Sequence, residues 1–145
     1  MSAGPASEEG ALPMSVPATT AFVAHLGIRH LPADATEGVF EAEVEVEPHL
    51  LNRSNVAHGG LLASLLDTVM ARAAAADSAA PNRMATIEIK VSFIGPGRGL
   101  LRARAWRLLR TASLSFCEAE VRDAEGGLIA KASATYKHGR AAADG

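Results

Sequence analysis

One stretch of the chain, residues 52–76, gathers most of the side chains that could do chemistry. It reads NRSNVAHGGLLASLLDTVMARAAAA, with an amide at Asn52, a His-Gly-Gly run at 58–60 and a carboxylate at Asp67. The pattern predicts a helix that begins at the two glycines, where backbone N–H groups stay unpaired at the positive end of the helix dipole. Such a helix start is a candidate oxyanion site, because glycine lets a ligand approach the backbone closely. Alternatively, the glycines only form the tight entry into the helix.

The predicted helix has two faces of different character. Asp67 lies off the apolar face, together with Ala63, Ala71 and Ala74. A solvated helix face usually carries Lys, Glu and Gln, so the alanines indicate a second surface that something approaches closely, most simply a partner subunit. An exposed Asp on an Ala-rich helix is the alternative. The wide apolar face, typical of a helix that packs on a sheet, consists of Leu61, Leu62, Leu65, Leu66, Val69, Met70 and Ala73.

The spacing between Gly59 and Asp67 limits how they can act. They are eight residues apart, which is about 12 Å along one helix at a rise of about 1.5 Å per residue. They cannot both touch one carbonyl group. If both act on one substrate, the carboxylate must come from a second copy of the helix. A two-fold dimer with antiparallel helices would then form two equal composite sites.

The rest of the chain supplies a short helix and several strands. Thr19 or Thr20 is a candidate N-cap for a helix that ends at Gly27. Residues 38–47 alternate between apolar side chains and glutamates, which predicts a half-exposed strand whose acidic face is solvated or meets arginines on a neighbour. The segment 77–83 reads as a loop.

Four consecutive strands are predicted after this loop, joined by tight turns. They span 85–94, 100–109, 112–122 and 128–138, with turn signals GPGRG at 95–99 and AEGG at 124–127. The order favours an α+β domain, an antiparallel sheet with the helix packed on one face. We expect one domain over residues 17–139, with flexible tails at 1–16 and 140–145.

Composition excludes several classes of function. A net charge of −2 gives no basic field for nucleic acid, and no run of 18 apolar residues is present to cross a membrane. Cys117 is the single cysteine, so no internal disulfide forms, and we interpret it as a buried structural thiol. His25 and His30 have no partner at metal-ligand spacing and are expected on the surface. We expect a cytoplasmic protein without a metal.

The key stretch resembles a known family. Asn52, the run at 58–60 and Asp67, followed by the strand TIEIKVSFIGPG and the final strands, are similar to the phenylacetate-pathway (PaaI-like) type of hotdog-fold acyl-CoA thioesterase. The resemblance extends from about Pro17 to His138. It implies a curved antiparallel sheet wrapped around one long central helix, an obligate homodimer and commonly a homotetramer. Coenzyme A would enter as part of the substrate, and no cofactor is implied.

The resemblance also implies roles for individual residues. The Gly59 N–H would polarise the thioester carbonyl and Asn52 would help to hold it. Asp67 of the opposite subunit would activate water or attack directly, and Thr86 would orient the water. These roles agree with the chemistry of thioester hydrolysis. The reaction needs hydrogen-bond donors aimed at the developing oxyanion, and a base or nucleophile on the other side of the carbonyl. Ala71 stands one turn after Asp67, which favours the aspartate type over the type with a glutamate and a nearby threonine.

Four further residues are candidates for substrate binding. His58 could contact the thioester or move a proton, although shaping the loop by hydrogen bonding is the preferred interpretation. Gly60 belongs to the same run. Arg98, in the GPGRG turn, and Arg110 are candidate clamps for the phosphates of coenzyme A, or ordinary exposed arginines. The alternative functions are a hotdog enoyl-thioester hydratase or dehydratase and a non-catalytic protein that binds acyl-CoA or aromatic ligands.

Overall fold

The computed structural model describes residues 19–33 and 36–140. The tail expected at residues 1–16 lies outside this range, as does most of the tail expected at 140–145. Within the described ranges, no helix is long and apolar enough to cross a membrane.

A six-stranded sheet forms the scaffold. Its strands are β1 (Arg29–His30), β2 (Val39–Glu45), β3 (Ala85–Phe93), β4 (Leu100–Arg110), β5 (Leu114–Asp123) and β6 (Leu128–Lys137). They lie in the order β1-β2-β4-β5-β6-β3, and every neighbouring pair is antiparallel. This order leaves β3 at one edge of the sheet.

The acidic face of β2 meets arginines, as the sequence suggested. Glu43 accepts hydrogen bonds from Arg29 at 2.8 Å and Arg102 at 3.2 Å, and Glu41 pairs with Arg104 at 3.2 Å. These pairs lower the pKa of Glu43, chiefly through the hydrogen bond from Arg29. Glu41 and Glu43 are therefore part of an outer charged face.

The GPGRG segment is not a tight turn between paired strands, so this part of the sequence prediction is wrong. β3 pairs with β6, and β4 pairs with β2 and β5, so residues 94–99 cross the end of the sheet. The Ile94 and Gly95 N–H groups donate to the Ile129 carbonyl, and the Gly97 carbonyl accepts from the Ala57 N–H at 2.8 Å. A Cβ at Gly97 would lie 2.9 Å from the end of the Leu101 side chain, so a larger residue there would force neighbouring side chains to shift.

The long helix α2 (Gly59–Ala75) packs against the inner face of the sheet. All seven residues of its predicted apolar face are buried, which confirms that prediction. Ala74 is also fully buried, so it does not belong to the outward alanine surface as expected. The short helix α1 (Ala21–Leu26) begins at the predicted cap Thr20 and ends at Gly27, whose φ of 78° suits glycine. A curved antiparallel sheet around one long helix is the hotdog fold, so the predicted fold class is confirmed.

Candidate active site

The loop before α2 is held together by Asn52. Its backbone N–H donates to the Val56 carbonyl at 2.8 Å, and its side-chain Oδ1 accepts from the N–H groups of Ser54 at 2.8 Å and Val56 at 3.2 Å. The Nδ2 group makes no hydrogen bond to the described residues. The amide oxygen of Asn52 thus shapes the loop, while its NH₂ remains available as a donor to a ligand.

The two glycines that begin α2 differ in what their N–H groups do. His58 is the N-cap, and its Nδ1 accepts from the Gly60 N–H at 2.8 Å. The His58 carbonyl accepts from Leu61 at 2.9 Å. The Gly59 N–H makes no hydrogen bond within the described ranges. The Gly60 donor is therefore used by the helix cap, and the Gly59 N–H is the free donor at the positive end of the helix.

Asp67 is held by two side chains that project from the sheet. Its Oδ1 accepts from the Tyr136 hydroxyl at 2.7 Å and from the Thr86 hydroxyl at 3.0 Å. The Tyr136 hydroxyl also lies 3.1 Å from the Asp67 carbonyl oxygen. The second carboxylate oxygen, Oδ2, has no hydrogen bond to the described residues. One oxygen is therefore fixed, and the other is available for chemistry.

A β-bulge directs Thr86 toward Asp67. On β3, Thr86 pairs with Tyr136 and Glu88 pairs with Thr135, so Ile87 is an extra residue. Simple alternation would place Thr86 and Ile89 on opposite faces of the sheet. The extra residue shifts the alternation, and Thr86 shares the inner face with Tyr136 and Ile89.

Tyr136 is a site residue that the sequence pattern did not indicate. It is fully buried on the inner face of β6. Burial first, and then the charge of Asp67 and its hydrogen bond, raise the pKa of the Tyr136 phenol. The hydroxyl therefore stays protonated and keeps its role as donor. The alternation of residues along β6 could have predicted that Tyr136 faces the helix. It does not show which residue of the helix Tyr136 would meet.

Gly59 and Asp67 are apart in one chain, as the helix rise predicted. A Cβ on Gly59 would lie 3.4 Å from the ring of Phe93, at one end of β3. Asp67 instead contacts Thr86, near the other end of the same strand. The structure thus brings Asp67 and Thr86 together with Tyr136, and it brings Asn52, His58 and Gly59 together in a second group.

The two candidate phosphate clamps lie at opposite ends of β4. Arg98 is exposed on the crossing segment beside the loop that ends at Ala57. Arg110 is ten residues beyond Leu100, which is about 33 Å along a strand. Its NH1 donates to Asp77 Oδ1 at 2.6 Å, and Arg107 binds the same carboxylate at 2.8 Å. Within one chain, Arg98 and Arg110 therefore cannot hold the same diphosphate, and Arg110 already has a partner.

The remaining sequence candidates have structural or surface positions. Cys117 is buried, as predicted, and burial raises the pKa of its thiol to about 12. His25 is exposed, as expected. His30 is partly buried, and burial followed by the charge of Arg72 lowers its pKa, so the surface position expected for it is wrong. No cluster of His, Cys, Asp and Glu in the described ranges could hold a metal ion.

Comparison with known proteins identifies the family. Residues 54–130 match the family model described as the thioesterase superfamily. A conserved protein from Pseudomonas aeruginosa is 32% identical with a TM-score of 0.74, and the match covers 83% of this chain and 94% of that one. The chain therefore belongs to the thioesterase superfamily, and this membership supports a thioester hydrolase.

Two further solved structures are of the phenylacetate type. A Ralstonia eutropha protein, described as a candidate thioesterase related to phenylacetic acid degradation, is 29% identical with a TM-score of 0.74, over 84% of this chain and 92% of that one. The Escherichia coli PaaI protein, from the phenylacetic acid degradation operon, has a TM-score of 0.76 over 84% and 86% of the two chains. It is 23% identical and shares the fold. No significant match is found among curated protein sequences.

Proposed function

We propose that the protein hydrolyses acyl-CoA thioesters to a free acid and coenzyme A. The observation that carries the proposal is the state of Asp67, whose Oδ1 is fixed by Tyr136 and Thr86 while its Oδ2 is free. A carboxylate held in this way can accept a proton from water or attack a carbonyl in a fixed orientation. The unused N–H groups of Gly59 and Asn52 supply the matching oxyanion donors.

The complete site requires a homodimer. β3 is an edge strand, and Ile87 and Phe93 on it are 56% and 57% exposed. An open apolar edge favours pairing with a second copy of the same strand. If Thr86 of one copy lay across from Phe93 of the other, each Gly59 would approach the partner's Asp67. The two-fold axis would then pass close to Lys90, which is near the midpoint of residues 86 and 93. Two such dimers would form the expected homotetramer.

The reaction proceeds on the carbonyl held between the two chains. Asp67 Oδ2 takes a proton from water, and the hydroxide oxygen forms a bond to the thioester carbon. The negative charge that develops on the carbonyl oxygen is stabilised by the partner's Gly59 N–H and the partner's Asn52 NH₂. The C–S bond then breaks, and coenzyme A leaves as a thiolate that takes up the proton. Alternatively, Asp67 attacks the carbonyl directly and forms an anhydride that water then cleaves. This route consumes the same water and thioester and gives the same acid and thiol.

The environment of His58 argues against the hydratase alternative. Its Nδ1 is occupied by the Gly60 N–H, which supports the preferred role of His58 in shaping the loop. Product analysis with an enoyl-CoA separates the two reactions, since a hydratase gives a hydroxyacyl-CoA and the proposed activity gives free thiol. Intact acyl-CoA retained over hours would instead support a binding protein. Arg98, beside the Gly59 end of the site, is the better placed of the two arginines to meet a phosphate of coenzyme A.

Replacement of Asp67 by Asn tests the proposal. Asp67→Asn keeps the size and the acceptor for Tyr136 but removes the base. We expect release of free thiol from an acyl-CoA panel to fall at least about 1,000-fold, within the range of general-base and nucleophile losses. Glu45→Gln removes the same charge from an exposed position on β2 and is the matched control. A folded, dimeric Asp67→Asn protein with the wild-type rate would remove Asp67 from the site.

A further inference from the structure

Arg72 lies in the same groove as Asp67 and has no carboxylate partner among residues 19–33 and 36–140. The groove has a volume of about 350 Å³ and runs along α2 beside α1. Arg72 is partly buried, and this burial lowers the pKa of its guanidinium. The ion pairs in the described ranges involve other arginines. A desolvated cation is costly to leave unpaired, and the described residues supply Arg72 with no counter-ion, which favours the binding of an anion there.

Two contacts fix the guanidinium of Arg72 without neutralising its charge. NH1 donates to the Leu31 carbonyl at 2.9 Å, and the group lies 5.5 Å from the centroid of the Phe40 ring. A guanidinium has five N–H donors, so most of them remain for a ligand. Its planar fork matches a carboxylate, which can accept two parallel hydrogen bonds.

His30 adds a second polar group to the groove. Its Nδ1 is buried and has no hydrogen-bond partner within the described ranges. Buried polar atoms are usually paired, so an unpaired imidazole nitrogen indicates a missing partner. An anion beside Arg72 would offer that partner, because a neutral imidazole can carry its proton on Nδ1.

Most other side chains that line the groove are apolar, and the rest are the hydroxyl residues Thr19, Thr20, Ser64 and Thr68. Arg72 is five residues beyond Asp67, which is about 7.5 Å along the helix. A ligand that begins at Asp67 would therefore pass mainly apolar side chains before it reached the cation. The apolar side chains that line the groove are Phe22, Val23, Ala71, Ala75, Pro81 and Met84.

We propose that the acyl group of the substrate carries a second carboxylate and that Arg72 binds it at the end of the groove. The substrates are then coenzyme A thioesters of dicarboxylic acids, with a short apolar segment between the two carboxyl carbons. The assignment rests on the proposed function and names its substrate class. Arg72 acts here as a specificity residue, because it touches the far end of the acyl group and not the reacting carbonyl.

Two acyl-CoAs of equal length test the assignment. Adipoyl-CoA and hexanoyl-CoA both have six acyl carbons and differ in the terminal carboxylate. We expect the wild-type protein to have the higher kcat/KM with adipoyl-CoA. Arg72→Met should lower the ratio of the two kcat/KM values at least about tenfold, the loss typical of a charge-assisted hydrogen bond. Arg104→Met, which removes a cation from the outer face of β4, should leave the ratio unchanged.

The outcomes separate this assignment from the proposed function. Hydrolysis of hexanoyl-CoA in preference to adipoyl-CoA by the wild-type protein would overturn the assignment but support thioesterase activity. An unchanged ratio in a folded Arg72→Met protein would do the same. Absence of thiol release from every acyl-CoA would contradict the proposed function, and the assignment with it. Arg72→Lys keeps the charge but not the fork, so an intermediate ratio supports the assignment even if Arg72→Met does not fold.

Discussion

Mixing two inactive variants tests whether each site is built from two chains. Asn52→Asp keeps the Oδ1 acceptor for Ser54 and Val56 but removes the Nδ2 donor. Asp67→Asn removes the base. Each homodimer should be inactive, because every site lacks one group. In a heterodimer, one site receives both defects and the other receives neither.

The expected recovery follows from the dimer symmetry. Random exchange of equal amounts gives about one half heterodimers, each with one of two sites intact, so about one quarter of wild-type activity should return. Thiol release from an acyl-CoA, measured before and after subunit exchange by mild denaturation and refolding, gives the result. If Asn52 and Asp67 of one chain served the same substrate, every site would keep one defect and no activity would return.

A reciprocal mixture provides the control. Wild-type protein exchanged with the double variant Asn52→Asp/Asp67→Asn places one defect in each site of the heterodimer. Activity should therefore fall from about one half of the sites to about one quarter. With sites built from a single chain, it would stay at about one half. Opposite changes in the two mixtures cannot arise from partial unfolding, which would lower activity in both.

Three further predictions concern other contacts of the structure. Tyr136→Phe should lower kcat about 10- to 100-fold with little change in KM, because a hydrogen bond to a charged group contributes about 1.5–3 kcal/mol; an unchanged kcat would deny Tyr136 a positioning role. The pKa of Cys117 is raised to about 12 in the native protein, so its thiol stays protonated while that of the unfolded chain ionises. The free energy of unfolding should therefore decline from about pH 9 toward pH 12 by up to about 1.4 kcal/mol per pH unit. Denaturant titrations at alkaline pH should show that Cys117→Ala lacks this component. If two copies of β3 pair with the two-fold axis close to Lys90, Lys90→Cys should form a disulfide-linked dimer on oxidation. Ser92→Cys should not, because position 92 would lie about 13 Å along the strand from position 92 of the other copy. The reverse result would refute this pairing of the strands.

The central helix could be predicted because its determinants are local. The apolar repeat from Leu61 to Ala73 and the glycines at its start identify the helix, its buried face and its candidate donor. Helix rise alone then separated Gly59 from Asp67. Ala74 was misplaced because a helical wheel shows direction but not depth, and the side of α2 near its C-terminal end is covered by the sheet.

The partners of Asp67 could not be predicted because they depend on the order of the strands. Tyr136 is 69 residues from Asp67 in the chain, and it meets Asp67 beside Thr86 only because β6 pairs with β3. The sequence suggested instead that β3 and β4 were neighbours joined by the GPGRG turn. Thr86 came from the family resemblance, since strict alternation from Ile89 would turn its side chain outward. The bulge at Ile87 that corrects this has no clear sequence signal.

In the proposed dimer, the contacts within one chain would prepare Asp67 for a substrate that the other chain holds. Tyr136 and Thr86 both donate to Oδ1, so the oxygen that the proposed reaction would use is Oδ2. On the other half of the site, the ring of Phe93 packs against Gly59 at the exposed edge of β3, next to the free N–H. Pairing of the β3 edges would therefore shield the Gly59 N–H from water. The same pairing would bring this N–H group close to the partner's Asp67. Dimer formation and catalysis should then be lost together, and activity per chain should fall on dilution below the dimer dissociation constant.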